Sequence, residues 1–85
     1  MVIEDLADSI TSKEDFDRFL EVLIRDQDVN GDEWENRDLR SFLFGLQGFT
    51  KDIEGYYRNR REDFSVERVS WRTIAHILLA ATVYE

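Results

Sequence analysis

The sequence predicts an all-α fold: a compact antiparallel bundle of about four helices, with the C-terminal helix at its centre. Three observations carry this. Apolar residues recur at steps of three and four along most of the chain, the period of a helix with one buried face. The 85 residues include no proline and only four glycines, so little interrupts a helix. The last sixteen residues, Ser70 to Glu85, are apolar around most of a helical circumference. There Trp71, Ile74, Ala75, Leu78 and Ala81 form one stripe, and Ile77, Ala80, Ala81 and Tyr84 form the next. A helix of this kind is a central core element. Ser70 is its expected N-cap. It is shorter than the roughly 20 apolar residues that a bilayer span needs.

The earlier elements follow in order. Ile3, Leu6, Ala7 and Ile10 have helical spacing, with Glu4, Asp5 and Asp8 assigned to water. Thr11-Ser12-Lys13-Glu14 spells a capping box, Thr11 accepting from the Glu14 amide and the Glu14 side chain reaching back. The second helix follows, with Phe16, Phe19, Leu20, Leu23 and Ile24 on its inner face. Asp26 to Asp32 breaks the pattern, and Asn30-Gly31 predicts a turn through positive φ. A third, long helix is expected after Asn36 as N-cap, with Leu39, Phe42, Leu43, Leu46, Phe49, Ile53 and Tyr56 or Tyr57 facing the core. Gly45 and Gly48 inside it each cost about 1 kcal/mol relative to alanine, which a close approach by another backbone explains. Residues 58–69 are polar and irregular, with Phe64, Val66 and Val69 available to pin them. A chain of this length makes one domain, residues 1–85.

Charge narrows the function classes. The net charge is −8, and residues 1–36 carry twelve acids against three bases. That repels free nucleic acid, whose binding relies on cations set against phosphates. It suits a basic protein partner, whose approach an acidic surface accelerates. There is no cysteine, hence no disulfide framework and no thiolate metal site. The acidic N-terminus does not read as a signal peptide, so a cytoplasmic protein off the membrane is expected.

Motifs for chemistry are sparse. Asp26-Gln27-Asp28-Val29-Asn30-Gly31 matches the opening of a calcium-binding loop, but position 12 of that loop is Arg37, where calcium needs a bidentate carboxylate. No metal site or cofactor is predicted. His76 is the sole histidine, and no nucleophile motif accompanies it, so a structural role is expected and an enzyme is not. The basic run Arg58-Asn59-Arg60-Arg61 is bracketed by Asp52, Glu54, Glu62 and Asp63, which suits local ion pairs. The remaining signal is in aromatics and acids. Trp34, Tyr56, Tyr57, Asp28, Asp32, Glu33 and Glu35 are the candidate partner contacts, because aromatic residues are enriched at interface hot spots and acids steer a basic partner.

Trp34-Glu35-Asn36 with Leu39, Gly55-Tyr56-Tyr57, Ser70-Trp71-Arg72 and the ending Ala80-Ala81-Thr82-Val83-Tyr84-Glu85 together resemble a family of small bacterial proteins known only as a domain of unknown function. Lys13-Glu14-Asp15-Phe16 resembles the same family, so the likeness runs from about Lys13 to Glu85. It implies no activity and no catalytic residue. Gly45 and Gly48 depart from the alanine-type residues of that helix, and Asn30-Gly31 departs from a proline-containing turn. A shorter likeness, in Phe16–Leu20 and Tyr56-Tyr57, is to the helical immunity proteins that block DNase colicins. The expected function is an acidic protein-binding domain, an immunity or antitoxin-like inhibitor of a basic partner. The alternatives are a structural subunit of a larger assembly and a calcium-responsive module at Asp26–Gly31.

Overall fold

The computed structural model describes residues 3–84, so Glu85 of the C-terminal motif lies outside the described residues. Among them the chain forms five α-helices and no strand: α1 Ile3–Asp8, α2 Lys13–Asn30, α3 Leu39–Lys51, α4 Ile53–Asn59 and α5 Trp71–Ala81. A 3-10 turn, Gly31–Glu33, follows α2. The expected long third helix is two helices. It stops at Asp52, and Ile53 starts α4.

The central position expected for α5 holds, since it packs against α1, α2 and α3. Two apolar clusters meet on it. Ala75, Leu78 and Leu79 join Ala7, Ile10, Phe19 and Leu23 on one side. Ile77, Ala80 and Tyr84 join Phe49, Ile53 and Tyr57 on the other. Ser70 caps the helix as predicted, accepting from the Thr73 amide at 3.1 Å. Trp71 departs from expectation: it is 42% exposed and leans on Phe16, ring centroids 5.3 Å apart.

Several local expectations shift by a residue or two. The N-cap of α2 is Ser12, not Thr11, and it accepts from the Asp15 amide at 3.1 Å. The Asp15 carboxylate, not Glu14, reaches back to the Thr11 amide and hydroxyl. The N-cap of α3 is Asp38, not Asn36, and it accepts from the Ser41 amide at 2.8 Å. Both are the same chemistry, one residue along in the first case and two in the second: an acceptor for an orphan first-turn donor. Gly31 sits at φ −56°, so the turn after α2 needs no positive φ. Left-handed backbone occurs instead at Arg61, φ 58°. There the Glu62 amide donates to the Tyr57 carbonyl and the Arg61 amide to the Arg58 carbonyl, a Schellman closure of α4. Phe64 alone pins the following loop, stacked on Tyr57 at 4.6 Å; Val66 and Val69 are more than half exposed.

The largest departure is the rotation of α3. Its expected inner stripe ran through Leu39 and Leu43. In the fold Gly45 and Phe49 are buried, while Leu39 is 72% and Leu43 51% exposed. Phe42, Leu46 and Phe49 of the expected stripe stay inward, so the buried face is shifted by less than one residue's step of about 100°, enough to carry its Leu39–Leu43 edge out to solvent. Gly45 is the reason. A Cβ there would lie 2.7 Å from the Ala81 carbonyl oxygen, 2.9 Å from that of Tyr84 and 2.6 Å from Asn36 Nδ2. The helix presents its smallest residue to the end of α5, and the leucines are carried outward.

Asn36 completes that junction. It is buried, its Nδ2 donates to the carbonyls of Ala81 at 2.8 Å and Tyr84 at 2.7 Å, and its amide donates to that of Thr82 at 2.9 Å. The carbonyls at the end of a helix have no intrahelical donors. A residue remote in sequence supplies them here.

Candidate docking surface

The surface is built from the end of α2, residues 34–38 and the outer side of α3. α2 and α3 both pack on α5 but not on each other, which leaves a groove between them. Its floor is Trp34 and Phe42, near-parallel rings 6.4 Å apart, with Leu23 beside them. Trp34 is fixed by its indole N–H, which donates to Asp26 Oδ2 at 2.8 Å. The rims are Ile24, 64% exposed, and Leu39. The groove holds about 320 Å³. Leu39 also borders a second hollow of about 600 Å³ along α3 with Arg40, Leu43, Phe44 and Gln47. Ile24, Leu39, Leu43 and Phe44 therefore make one continuous apolar surface. Contiguous patches of this kind mark interaction sites, whereas scattered exposed residues do not.

Charge is arranged in bands beside it. On α2, Asp17, Glu21 and Asp28 fall within about 60° of the Ile24 direction, so they form a ridge along that rim. Asp32 and Glu33 lie in the adjoining 3-10 turn and Glu35 follows Trp34, all exposed. The other rim carries bases and one acid, the capping Asp38. Arg37 lines the groove, and the Arg40 guanidinium lies over Phe44, 5.0 Å from the ring centroid.

Of the residues singled out in the sequence, Trp34, Asp28, Asp32, Glu33 and Glu35 belong to this one region. Tyr56 and Tyr57 belong to another. Tyr57 is 2% exposed, so as a surface contact it is corrected: its ring is core. Tyr56 is half-buried beneath the Arg60 guanidinium, 5.2 Å from its centroid. The calcium reading is also corrected in its geometry. Asp26, Asp28 and Asn30 lie on the last turns of α2, not in a loop, and residues two apart on a helix point to opposite sides. Asp26 is occupied by Trp34 and by Asn30 Nδ2. No group of three potential ligands converges among the described residues.

The tyrosines instead lead into a polar junction that spacing could not show. Tyr57 Oη lies 2.6 Å from His76 Nδ1, and His76 Nε2 lies 2.8 Å from Asp8 Oδ1. Asp8, assigned to water from sequence, also accepts from Arg60 Nη2 at 2.9 Å. Its backbone carbonyl takes Arg72 Nε at 2.7 Å, and Arg72 continues to Glu62. An ionised Asp8 only accepts, so the neutral His76 donates through Nε2 and receives the Tyr57 hydroxyl at Nδ1. The series ties α1 to α4 and α5, and no buried side-chain polar atom among the described residues lacks a partner. It is a satisfied junction, and its two inner members, Tyr57 and His76, are buried.

Its pH response has a definite sign. Burial pushes His76 below its ordinary 6.5, outweighing the Asp8 hydrogen bond that opposes it. The folded state then prefers the neutral ring, so this stabilisation is present above 6.5 and falls as pH drops from there towards the folded value. Burial raises Asp8, but the hydrogen bonds from Arg60 and His76 outweigh it and hold the carboxyl below 3.8. The Arg72 hydrogen bond holds Glu62 below 4.5. Those contributions are present above the ordinary values and are lost as pH falls through the folded ones. Urea midpoints should therefore fall in two stages on acidification, the first beginning near 6.5 and the second below 4.5. As His76 is the only histidine, His76→Gln should flatten the first stage and leave the second.

The fold and site define an all-α domain with an exposed apolar groove that has an acidic ridge along its α2 rim. The chain belongs to DUF7660, a family of unknown function, whose match covers residues 12–85 and so takes in α2 to α5 but not α1. Comparisons with curated proteins and with solved structures give no match. No described helix is long and apolar enough to cross a membrane.

Proposed function

We propose that this chain is a protein-binding domain that works by occupying its partner: an immunity or antitoxin-like inhibitor of a basic protein, and not an enzyme. The observation that carries the reading is the continuous row Ile24–Leu39–Leu43–Phe44, open to solvent beside the acids of α2 and residues 32–35. The apolar row supplies desolvated area and the acids supply approach and orientation. The polar junction at Asp8, His76 and Tyr57 holds α1, α4 and α5 together, with Tyr57 and His76 buried and Asp8 half-buried, which suits a scaffold for that surface.

The test is capture from native lysate with the wild-type chain and a Leu43→Asp variant, at low and moderate salt. Because Leu43 points outward, the substitution should leave thermal stability within about 0.5 kcal/mol. A basic partner held by the wild type, weakened by salt and lost with Leu43→Asp is the expected result. Capture that is indifferent to both salt and Leu43 contradicts the proposal.

A further inference from the structure

We infer that the occupant of the α2–α3 groove is an amphipathic α-helix of the partner, with Lys or Arg along the flank that meets α2. This rests on the docking reading above and specifies its ligand.

Backbone chemistry selects a helix. The groove is lined by side chains of α2, of α3 and of residues 34–38, and no described residue forms a strand edge that an extended segment could pair with. An extended segment laid across Trp34, Phe42 and Leu39 would leave its backbone donors and acceptors without partners on apolar surface, which is costly. A helix brings its backbone already satisfied and presents only side chains.

The rims carry the matching period. In the groove itself Leu39 and Phe42 on one side, and Ile24 and Gln27 on the other, stand three residues apart, and Leu39, Leu43 and Gln47 continue at four-residue steps along the adjoining hollow. From Leu39 to Gln47 is about 12 Å along the axis, two helical turns. An incoming apolar stripe at i, i+3, i+4 and i+7 spans that length, and its ridges fit the spaces between Leu39 and Leu43 and between Ile24 and Gln27.

Charge fixes the direction in which the helix lies. Asp17, Glu21 and Asp28 edge one rim, which is acidic throughout, whereas the other holds Arg37 and Arg40 together with the capping Asp38. A helix with bases on one flank and acids or neutral residues on the other is matched in one orientation and opposed in the reverse. A second copy of this chain is the less suitable occupant, because two chains of net charge −8 repel at distance.

The experiment uses the full chain with Trp71→Phe, which leaves Trp34 as the sole indole reporter. Two synthetic helical peptides share a leucine stripe; one carries Lys along a flank and the other carries Glu at the same positions. The Lys peptide should blue-shift Trp34 emission and gain helicity. Its affinity should fall about tenfold or more with Leu43→Asp and reverse its preference for the Glu peptide with Glu21→Lys/Asp28→Lys, since an apolar anchor and each well-placed charge pair contribute on that scale. Equal binding of both peptides overturns the charge assignment. No binding by either, with the chain folded, overturns the helical occupant; if Leu43→Asp still abolishes capture from lysate, the docking reading stands without it. Sedimentation showing a dimer of the chain alone that Leu43→Asp dissociates makes the second copy the occupant and overturns the inference.

Discussion

Gly45→Ala is expected to destabilise the chain by about 3 kcal/mol, although alanine is the better helix former. Helix propensity alone predicts a gain of about 1 kcal/mol. Against it stand the carbonyl of Ala81 at the end of α5, that of Tyr84 just beyond it and the Asn36 amide, all within 3 Å of where the methyl would be. Carbonyls held in a helix end cannot step aside as a side chain can, so α3 must move off α5 along its length. Overpacking of this kind costs about 1–3 kcal/mol when neighbours relax and more when they do not. For a domain of this size that is a fall in Tm of more than about 10 °C. Gly48→Ala is the control. Its methyl would meet only the edge of the Tyr84 ring at 3.1 Å, which can tilt, so its change should stay within about 1 kcal/mol of zero. A stabilising Gly45→Ala would show that α3 does not present this face to α5.

Asn36→Asp should cost about 3–5 kcal/mol near neutral pH. The substitution keeps the shape and replaces a two-proton donor with a carboxylate aimed at two carbonyl oxygens, those of Ala81 and Tyr84. Two hydrogen bonds are lost at about 1 kcal/mol each, and a buried charge without a donor adds the rest. Asn36→Ala removes the bonds without the charge and should cost about 2 kcal/mol. The pH dependence separates the two. The introduced carboxyl is disfavoured as an anion, so its folded pKa is raised; the variant then recovers relative to wild type as pH falls through that value. Wild type moves the other way, losing stability on acidification through His76, Glu62 and Asp8. Urea titration of the three chains at neutral and acid pH reads both effects. Asn36 Nδ2 is itself 2.6 Å from the added Gly45 methyl, so the Gly45→Ala and Asn36→Ala costs should sum to more than the double variant loses.

The all-α class and the central α5 were legible because a helix apolar around its circumference has one physical use. Capping chemistry was legible to within a residue or two, since Ser12 and Asp38 stand beside other competent acceptors. The rotation of α3 was not. Periodicity finds an apolar face but cannot say whether that face meets the core or a partner, and Leu39 and Leu43 carry the stronger pattern. The signal was in Gly45 and Gly48, three residues apart on the adjacent face: small residues mark where a backbone can approach, and that outranked the leucines. Trp34 and its neighbouring acids were legible as a group because they are adjacent in sequence. The Asp8–His76–Tyr57 junction was invisible for the opposite reason, joining residues from α1, α5 and α4 that no spacing relates.

The central claim is that the leucine face of α3 is open in the free chain. With no native cysteine, single introduced thiols report it directly. Leu43→Cys should react with a maleimide at a rate close to that of Ser65→Cys, which is exposed, while Ala75→Cys, at a fully buried position, is protected by orders of magnitude. A Leu43→Cys thiol protected to the degree of Ala75→Cys at every protein concentration would contradict the account, placing that face in the core.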